Sequence, residues 1–171
     1  MSQFQTNGIQ SVKGLILDLA VLTDARAVFN QVKDLLGGEP VDILVNNAGI
    51  SAAASLADIN LTDSQRVLQV NLLAPILLSQ AFAAQFVSKQ DDFGSIINIS
   101  SIASKFDEER NLIYGVSKAG LIKATKNLAK NLGKQGIRVN AILPGSIDTD
   151  MTREKSVSYT HLRAHETLSD L

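Results

Sequence analysis

Two kinds of segment alternate along this chain, short apolar runs and longer stretches with apolar residues at helical spacing. The apolar runs, each of which indicates a buried strand, occur at residues 14–18, 41–45, 95–100 and 138–143. The longer stretches predict helices at about residues 24–36, 63–87 and 112–132. Buried strands that alternate with helices of this length are typical of a parallel sheet covered on both faces, and so predict an α/β fold.

Capping residues set the expected helix boundaries. Thr23 is predicted to cap the first helix, with Asp24 in its first turn. Thr62 and Gln65 form a capping-box signature for the second helix, which is unusually apolar and which Pro75 is expected to bend. The glycines predicted to end the first and last helices are Gly37, Gly38, Gly133 and Gly136.

Polar or glycine-rich residues follow each predicted strand. They are Asp18, Asn46 to Gly49, Ser100 with Ser101, and Pro144 to Thr149. In parallel sheets, functional loops lie beyond the carboxyl ends of the strands. The pattern therefore predicts one functional site at this rim.

The stretch between residues 94 and 118 carries candidate chemistry. Tyr114 and Lys118 are four residues apart, so a helix places them on one face. A positive charge beside a phenol favours the phenolate, which suits a general acid/base. Ser101, thirteen residues before Tyr114, ends a strand-like run and could hold a carbonyl oxygen. The motif alone is weak, because a solvated helix face gives the same spacing.

Composition excludes several classes of function. The chain has 171 residues, 45% hydrophobic and 19% charged, with a net charge of −1 and no basic run, which argues against nucleic-acid binding. It contains no cysteine, and both histidines lie near the end, at His161 and His165. The body thus lacks the base of a Ser-His-Asp hydrolase and the ligands of a Cys/His zinc site. We expect neither a signal peptide nor a membrane-crossing run.

In their order and separations, these motifs resemble those of the short-chain dehydrogenases/reductases. The matching pieces are Asp18 after GLIL, Asn46-Asn47-Ala48-Gly49, Asn71, Ser101, Tyr114-x-x-x-Lys118 and Pro144-Gly145-x-Ile147-x-Thr149. They extend over residues 14–152. The runs YGVSKAGLIKATKNLA and PGSIDTDMT look most like those of 3-oxoacyl-acyl-carrier-protein reductases, although sugar and alcohol dehydrogenases look nearly the same. The resemblance implies a doubly wound, parallel-sheet Rossmann fold.

The resemblance implies a catalytic role for four residues. Tyr114 would be the acid/base that gives a proton to the carbonyl oxygen. Lys118 would favour deprotonation of that tyrosine and hydrogen-bond the nicotinamide ribose. Ser101 would orient the carbonyl, and Asn71 would hold a water that links Lys118 to solvent.

The resemblance also implies an NAD or NADP site. Asp18 and Leu19 would contact the adenine, and the backbone of Asn47, Ala48 and Gly49 would line the adenosine ribose. Four residues after the last strand would fix the nicotinamide carboxamide, namely Pro144, Gly145, Ile147 and Thr149. The reaction implied is the interconversion of a carbonyl and a secondary alcohol.

Most of these residues have a simpler structural explanation when taken alone. Asp18 could cap a turn, Asn46 and Asn47 could be turn residues, and Asn71 could face solvent. Ser101 could cap a helix or turn, and Pro144-Gly145 is normally just a turn. The common register of all the motifs favours the functional alternative.

Parts of the family pattern are missing from this sequence. No glycine-rich turn that would cradle the cofactor's pyrophosphate is present, and Gly8 and Gly14 do not fit one. We expect residues 1–155 to be a partial domain without the first two βα units, which choose between NAD and NADP, and without the C-terminal part. Residues 156–171 look like a translated adapter, and a metal site at His161 and His165 is therefore not expected.

Two classes of function remain open. The parent protein is expected to be a cytoplasmic oxidoreductase acting on a small-molecule or acyl-carrier substrate, whereas this 171-residue piece should bind dinucleotide poorly and turn over little. The alternative is a non-catalytic oligomerisation scaffold. The resemblance implies a homodimer or homotetramer through helices 63–87 and 112–132. The net charge of −1 and the absence of a basic run predict no nucleic-acid or membrane partner. The charged loop Lys105–Asn111 favours another substrate or is only solvated.

Overall fold

Three parallel strands form the sheet in the computed structural model of this protein, which describes residues 12–86, 93–106, 110–145 and 147. They are β1 (Ile43–Asn46), β2 (Gly94–Ile99) and β3 (Ile137–Ile142), in the order β1-β2-β3. Asn46 is paired with Asn98, and Ile99 with Ile142. The predicted parallel sheet is confirmed, and each of these strands begins within two residues of its predicted start.

Three helices connect and cover the strands in the described part of the chain. They are α1 (Ala25–Leu35), α2 (Leu61–Phe86) and α3 (Leu112–Leu132). Short 3-10 turns add Leu19–Val21, Leu56–Asp58, Ile102–Ser104 and Gly133–Gln135. Gly37, Gly38 and Gly136 have φ angles of 70°, 96° and 76°, which only glycine adopts without strain, and α1 and α3 end beside them as predicted.

The two predicted N-caps are wrong by one or two residues. Asp24, not Thr23, caps α1, because its Oδ1 accepts hydrogen bonds from the backbone N–H groups of Arg26 and Ala27 at 2.9 and 3.1 Å. Asn60, not Thr62, caps α2 by accepting from Asp63 N at 2.9 Å. An asparagine or aspartate side chain is at least as good a cap as threonine, so the sequence allowed both placements.

Helix α2 changes its winding in the middle. It is α-helical over Leu61–Leu68, π-helical over Gln69–Leu73 and α-helical again over Ala74–Ala83. Pro75 has no N–H to donate to the carbonyl four residues earlier, that of Asn71. The wider turn therefore comes directly before the proline, where Ala74 N donates to Gln69 O, the carbonyl five residues earlier. A local π turn is frequent at functional sites.

The predicted strand at Gly14–Asp18 is not formed. Residues 12–18 have no regular secondary structure, and the Ile16 side chain is fully exposed. A strand needs a neighbour to satisfy its N–H and C=O groups. Within the described ranges the sheet contains only β1, β2 and β3, and none of them pairs with this segment. An apolar run predicts the tendency to form a strand, not the presence of the partner.

The core lies between the sheet and helices α2 and α3. Its residues include Phe82, Phe86, Ile96, Leu132 and Ile137. Helix α2 is long and apolar enough to cross a membrane by length and composition, contrary to the expectation that no such run exists. Half of its most apolar window is buried inside the protein, as in the core helix of a globular domain.

Candidate active site

Tyr114 and Lys118 lie together on α3. The Lys118 Nζ atom is 5.8 Å from the centroid of the Tyr114 ring. Lys118 is only 3% exposed, and its Nζ donates a 2.8 Å hydrogen bond to the carbonyl oxygen of Ile99, at the end of β2. The predicted pairing of an ammonium with a phenol on one helix face is therefore present in the fold.

Burial changes the titration of the lysine. Removal from water disfavours the charged amine and holds the pKa of Lys118 below its ordinary value. The hydrogen bond to Ile99 keeps the amine at the carboxyl end of β2. The amine is thus fixed in position and more easily deprotonated than a surface lysine.

Asn71 lies inside the protein and not on a solvated helix face. Its side chain is fully buried, accepts from Ile50 N at 2.9 Å and donates to Ile50 O at 2.8 Å. A further bond of 3.1 Å joins its Nδ2 to Ser117 Oγ, one residue before Lys118. Asn71 therefore ties the loop after β1 to helix α3, and the solvent-facing alternative is wrong.

Gly49 packs directly against the lysine. A Cβ atom at this position would lie 3.2 Å from Lys118 Nζ and 3.6 Å from Asn71 Oδ1. The preceding residues Asn47 and Ala48 are exposed on the rim, and Asn47 N donates to Val45 O. The absence of a side chain at residue 49 lets the loop backbone approach the amine closely.

Ser101 begins the turn that follows β2. Its Oγ accepts a 3.2 Å hydrogen bond from Ala103 N, so the capping role considered as the simpler explanation is observed. This turn packs on α3 beside the tyrosine, because a Cβ atom at Gly115 would lie only 3.0 Å from Ala103 O. The neighbouring Ser100 Oγ donates to Lys118 O at 2.9 Å. The serine segment and the tyrosine helix are therefore in direct contact.

The residues after β3 reach the same turn. Ile102 N donates to Pro144 O at 3.1 Å. A Cβ atom at Gly145 would lie 4.0 Å from Ile102 Cδ1, which is ordinary van der Waals contact. Ile147 is 57% exposed. Thr149 lies outside the described residues, as do His161 and His165 of the predicted tail.

Asp18 and Leu19 lie beside helix α2. Asp18 is exposed and caps the 3-10 turn at Leu19–Val21 by accepting from Ala20 N at 2.9 Å, while Leu19 is half-buried. A 3.0 Å bond from Gln69 Nε2 to Leu22 O ties this turn to the helix that carries Asn71. The capping function of Asp18 is thus observed here, and its side chain stays at the surface.

Sequence reasoning did not identify several residues that hold the site together. Ser117 joins Asn71 to the Tyr114 carbonyl, and Ser51 Oγ donates to Asn111 Oδ1 at 3.0 Å. Asn98 is a fully buried asparagine in the middle of an apolar strand. That break in an apolar run was the available signal, because a buried polar side chain requires a specific partner.

A cavity of about 310 Å³ opens beside the N-terminal end of α2. Its lining comes from the loop before α2 and from the start of α3, including Ala53, Asp58, Arg110 and Ile113. None of Asn71, Ser101, Tyr114 and Lys118 lines it. Within the described ranges, no three His, Cys, Asp or Glu side chains are grouped to hold a metal ion.

Comparison with known proteins shows that this chain is similar in sequence to one enzyme family. The family profile described as short chain dehydrogenase matches residues 1–159. The 3-oxoacyl-[acyl-carrier-protein] reductase FabG of Aquifex aeolicus is 37% identical over 139 residues, which cover 81% of this chain and 54% of that protein. The chain spans about half the length of the curated relatives it matches.

Solved structures with bound dinucleotides superpose on the chain. A 4-hydroxyisoleucine dehydrogenase mutant complexed with NADH and succinate has a TM-score of 0.73 and 34% identity, covering 84% of this chain and 58% of that one. A gluconate 5-dehydrogenase from Burkholderia cenocepacia in complex with NADP and tartrate has a TM-score of 0.74 and 29% identity, covering 81% and 52%. Both likenesses extend over most of the described fold.

Proposed function

This chain belongs to the short chain dehydrogenase family, and from that premise we propose that it carries the catalytic core of an NAD(P)-dependent oxidoreductase. The reaction interconverts a carbonyl and a secondary alcohol. One observation supports the proposal above the others. Lys118 is only 3% exposed, and its amine lies 5.8 Å from the Tyr114 ring centroid and 3.2 Å from where a Cβ atom at Gly49 would be.

Tyr114 is proposed as the acid/base of the reaction. In the reduction it donates the phenolic proton to the carbonyl oxygen, and in the oxidation it takes that proton from the alcohol. Ser101 holds the same oxygen by a hydrogen bond from its hydroxyl. Lys118 stabilises the phenolate by its charge, and Asn71 fixes the loop over Lys118 through both backbone groups of Ile50.

The residues present fit the nicotinamide half of NADH or NADPH. When bound, the dinucleotide supplies or accepts the hydride at the carbonyl carbon. An ammonium has three hydrogens and Lys118 uses one of them on Ile99, which leaves hydrogens for ribose hydroxyls. Asn47 and Ala48 offer exposed backbone on the same rim for the adenosine ribose, and Asp18 and Leu19 are proposed for the adenine. Pro144, Gly145, Ile147 and Thr149 are proposed to fix the carboxamide.

The substrate class proposed is a 3-oxoacyl group on an acyl carrier, as in the relative from Aquifex aeolicus. Tyr114 and Ser101 are proposed to contact only the carbonyl oxygen of the substrate, so they serve other ketones and sugars equally well. The loop that includes Lys105 and Phe106 is exposed at the serine turn, where it can contact the remainder of a substrate. Assays with acetoacetyl thioester, a dicarboxylic keto acid and a keto sugar separate these classes.

The test uses the 171-residue chain and the protein translated from the uninterrupted gene. NADH and NADPH are titrated by fluorescence, and carbonyl reduction is followed as loss of dihydronicotinamide absorbance. We expect turnover by the longer protein, and weak binding with little turnover by this chain because it has no glycine-rich phosphate cradle. Absence of any reductase activity in the longer protein would contradict the proposed reaction.

An oligomer through α2 and α3 is also proposed. These two helices pack against each other, since a Cβ atom at Gly120 would touch Leu72 at 3.0 Å. Beside that contact, Leu73, Leu112 and Val116 are exposed by 46%, 48% and 52%. A dimer that covers them accounts for the apolar breadth of α2. Light scattering of Leu73→Glu should show monomers where the unmodified protein forms dimers or tetramers.

A cytoplasmic location is proposed for the protein. Helix α2 is the described helix with membrane-crossing length, and half of its apolar window packs inside the domain. A membrane would compete for the side chains that contact the sheet, Phe82 and Phe86 among them. Fractionation of cells that express a tagged copy should recover the protein in the supernatant after high-speed centrifugation.

A further inference from the structure

A buried chain of hydrogen bonds runs beneath the candidate site. Asn46 Nδ2 donates to Asn98 Oδ1 at 2.8 Å and contacts Ser79 Oγ at 3.4 Å, while Asn98 Nδ2 donates to Thr125 Oγ1 at 2.9 Å. These four side chains are exposed by only 6%, 0%, 0% and 5%, in the order Asn46, Ser79, Asn98 and Thr125. The chain crosses from α2 over β1 and β2 to α3.

The hydroxyl groups at its two ends fix its direction. Ser79 Oγ donates to Pro75 O at 2.6 Å and Thr125 Oγ1 donates to Leu121 O at 2.7 Å. Each hydroxyl has a single hydrogen, so both oxygens can only accept from the asparagines. Asn98 must therefore direct its NH₂ group at Thr125 and its oxygen at Asn46, its register partner. Only one arrangement of the amides satisfies all four groups.

Three of the four hydrogen-bonded residues lie close in sequence to candidate site residues. Asn46 directly precedes Asn47, and Asn98 precedes Ser101 by three residues. Thr125 follows Lys118 by seven residues, which is two helical turns on the same side of α3. These hydrogen bonds thus connect the two strands and the helix that lead to Asn47, Ser101 and Lys118.

Stability alone does not require polar atoms at these positions. Replacing both partners of a buried hydrogen bond by apolar groups of similar shape is nearly neutral, whereas leaving one partner unpaired is unfavourable. Hydrophobic contacts allow neighbouring elements to slide, while a hydrogen bond is directional and fixes one relative position. The buried amide is therefore suited to setting the position of α3 along β2.

We propose that Asn98 and Thr125 are positioning residues of the oxidoreductase, because their hydrogen bond fixes α3 against β2 so that the Lys118 amine stays on the Ile99 carbonyl and beside Gly49. The link to catalysis rests on the proposed function. The effect of this hydrogen bond on the position of Lys118 is a property of this chain alone and does not depend on cofactor or substrate.

The first test is carried out on the 171-residue chain by NMR. The carbon-13 resonance of Lys118 Cε is assigned by its disappearance in Lys118→Arg. Thr125→Val keeps the shape of the side chain and removes the hydroxyl, which leaves Asn98 Nδ2 without its acceptor. We expect the Lys118 resonance to shift towards that of exposed lysines in Thr125→Val and to remain in place in Thr125→Ser, which keeps the hydroxyl.

A control separates positioning from general destabilisation. Leu132→Ala removes a core contact at the far end of α3, away from the four linked side chains. It should lower the melting temperature without moving the Lys118 resonance. Thr125→Ala offers a second variant if Thr125→Val does not fold, because it also removes the acceptor of the 2.9 Å hydrogen bond from Asn98 Nδ2. For that variant we expect the same resonance to shift in the same direction.

The second test measures kcat and KM in the protein translated from the uninterrupted gene. A displaced amine should lower kcat of Thr125→Val by roughly 10-fold to 100-fold, with activity restored in Thr125→Ser. An unmoved Lys118 resonance in a folded Thr125→Val protein, with stability lost as in Leu132→Ala, would overturn the proposal. Because the resonance needs no turnover, an inactive unmodified protein would contradict only the proposed function.

Discussion

Lys118 Nζ donates a 2.8 Å hydrogen bond to the carbonyl oxygen of Ile99, which is the last residue of β2. The bond brings an amine from a helix to the carboxyl end of a parallel strand, where loops from several strands meet. It also keeps a 3% exposed amine hydrogen-bonded in the interior.

Substitution Lys118→Met should alter the pH dependence of stability. Burial lowers the pKa of Lys118 in the folded chain, so the unfolded chain binds more protons between that lowered pKa and the ordinary lysine value of about 10.4. The free energy of unfolding of the unmodified chain should therefore rise with pH through this window, relative to the variant. Below this pH window the difference in unfolding free energy between the unmodified chain and Lys118→Met should be constant. Urea denaturation of both proteins at several alkaline pH values measures this difference. A difference that falls as the pH rises would contradict the prediction.

Substitution Gly49→Ala should displace the lysine amine. The new methyl group would lie 3.2 Å from Lys118 Nζ, closer than ordinary van der Waals contact. We expect kcat/KM of the full oxidoreductase to fall about 10-fold or more, since small displacements of a catalytic group have large effects on rate. Gly133→Ala is the matched control, because a Cβ atom there meets nothing within 4 Å. Equal activity of the two variants would rule out the close approach at Gly49.

Substitution Asn71→Leu should destabilise the chain by about 2–3 kcal/mol, because it leaves the half-buried N–H and C=O of Ile50 without their side-chain partner. The measurement is the free energy of unfolding in urea. Asn127→Leu, at an exposed position on α3, is the control and should change stability by less than about 0.5 kcal/mol. Similar values for both variants would contradict the clamping role of Asn71.

Substitution Tyr114→Phe decides between an enzyme and a scaffold. In the full oxidoreductase it removes the proton donor, so the rate should fall by roughly 10²-fold to 10⁴-fold while the melting temperature stays close to that of the unmodified protein. A pure oligomerisation scaffold would show no change in its measured property, the oligomeric state. Retention of full reductase activity by the phenylalanine variant would exclude Tyr114 as the acid/base.

Local pattern was sufficient to predict most of the regular structure. The strands at 43–46, 94–99 and 137–142 and the helix Leu112–Leu132 were located from apolar runs, helical periodicity and terminal glycines alone. The N-caps were missed by one or two residues, since neighbouring Thr, Asp and Asn residues compete for the same role. The strand predicted at Gly14–Asp18 is not formed for a different reason, because pairing depends on a partner strand and not on the run itself.

The sequence by itself determined the alternation of strands and helices, the four-residue spacing of Tyr114 and Lys118, and the resemblance that named Asn71 and Ser101. Only the tertiary structure decided that Lys118 bonds to Ile99, that Asn71 clamps Ile50, and that Asn98 joins Asn46 to Thr125. Helical periodicity and capping are properties of neighbouring residues, which a linear pattern records. These hydrogen bonds join residues from 19 to 52 positions apart, so they exist only after the sheet and helices have packed and water has been excluded.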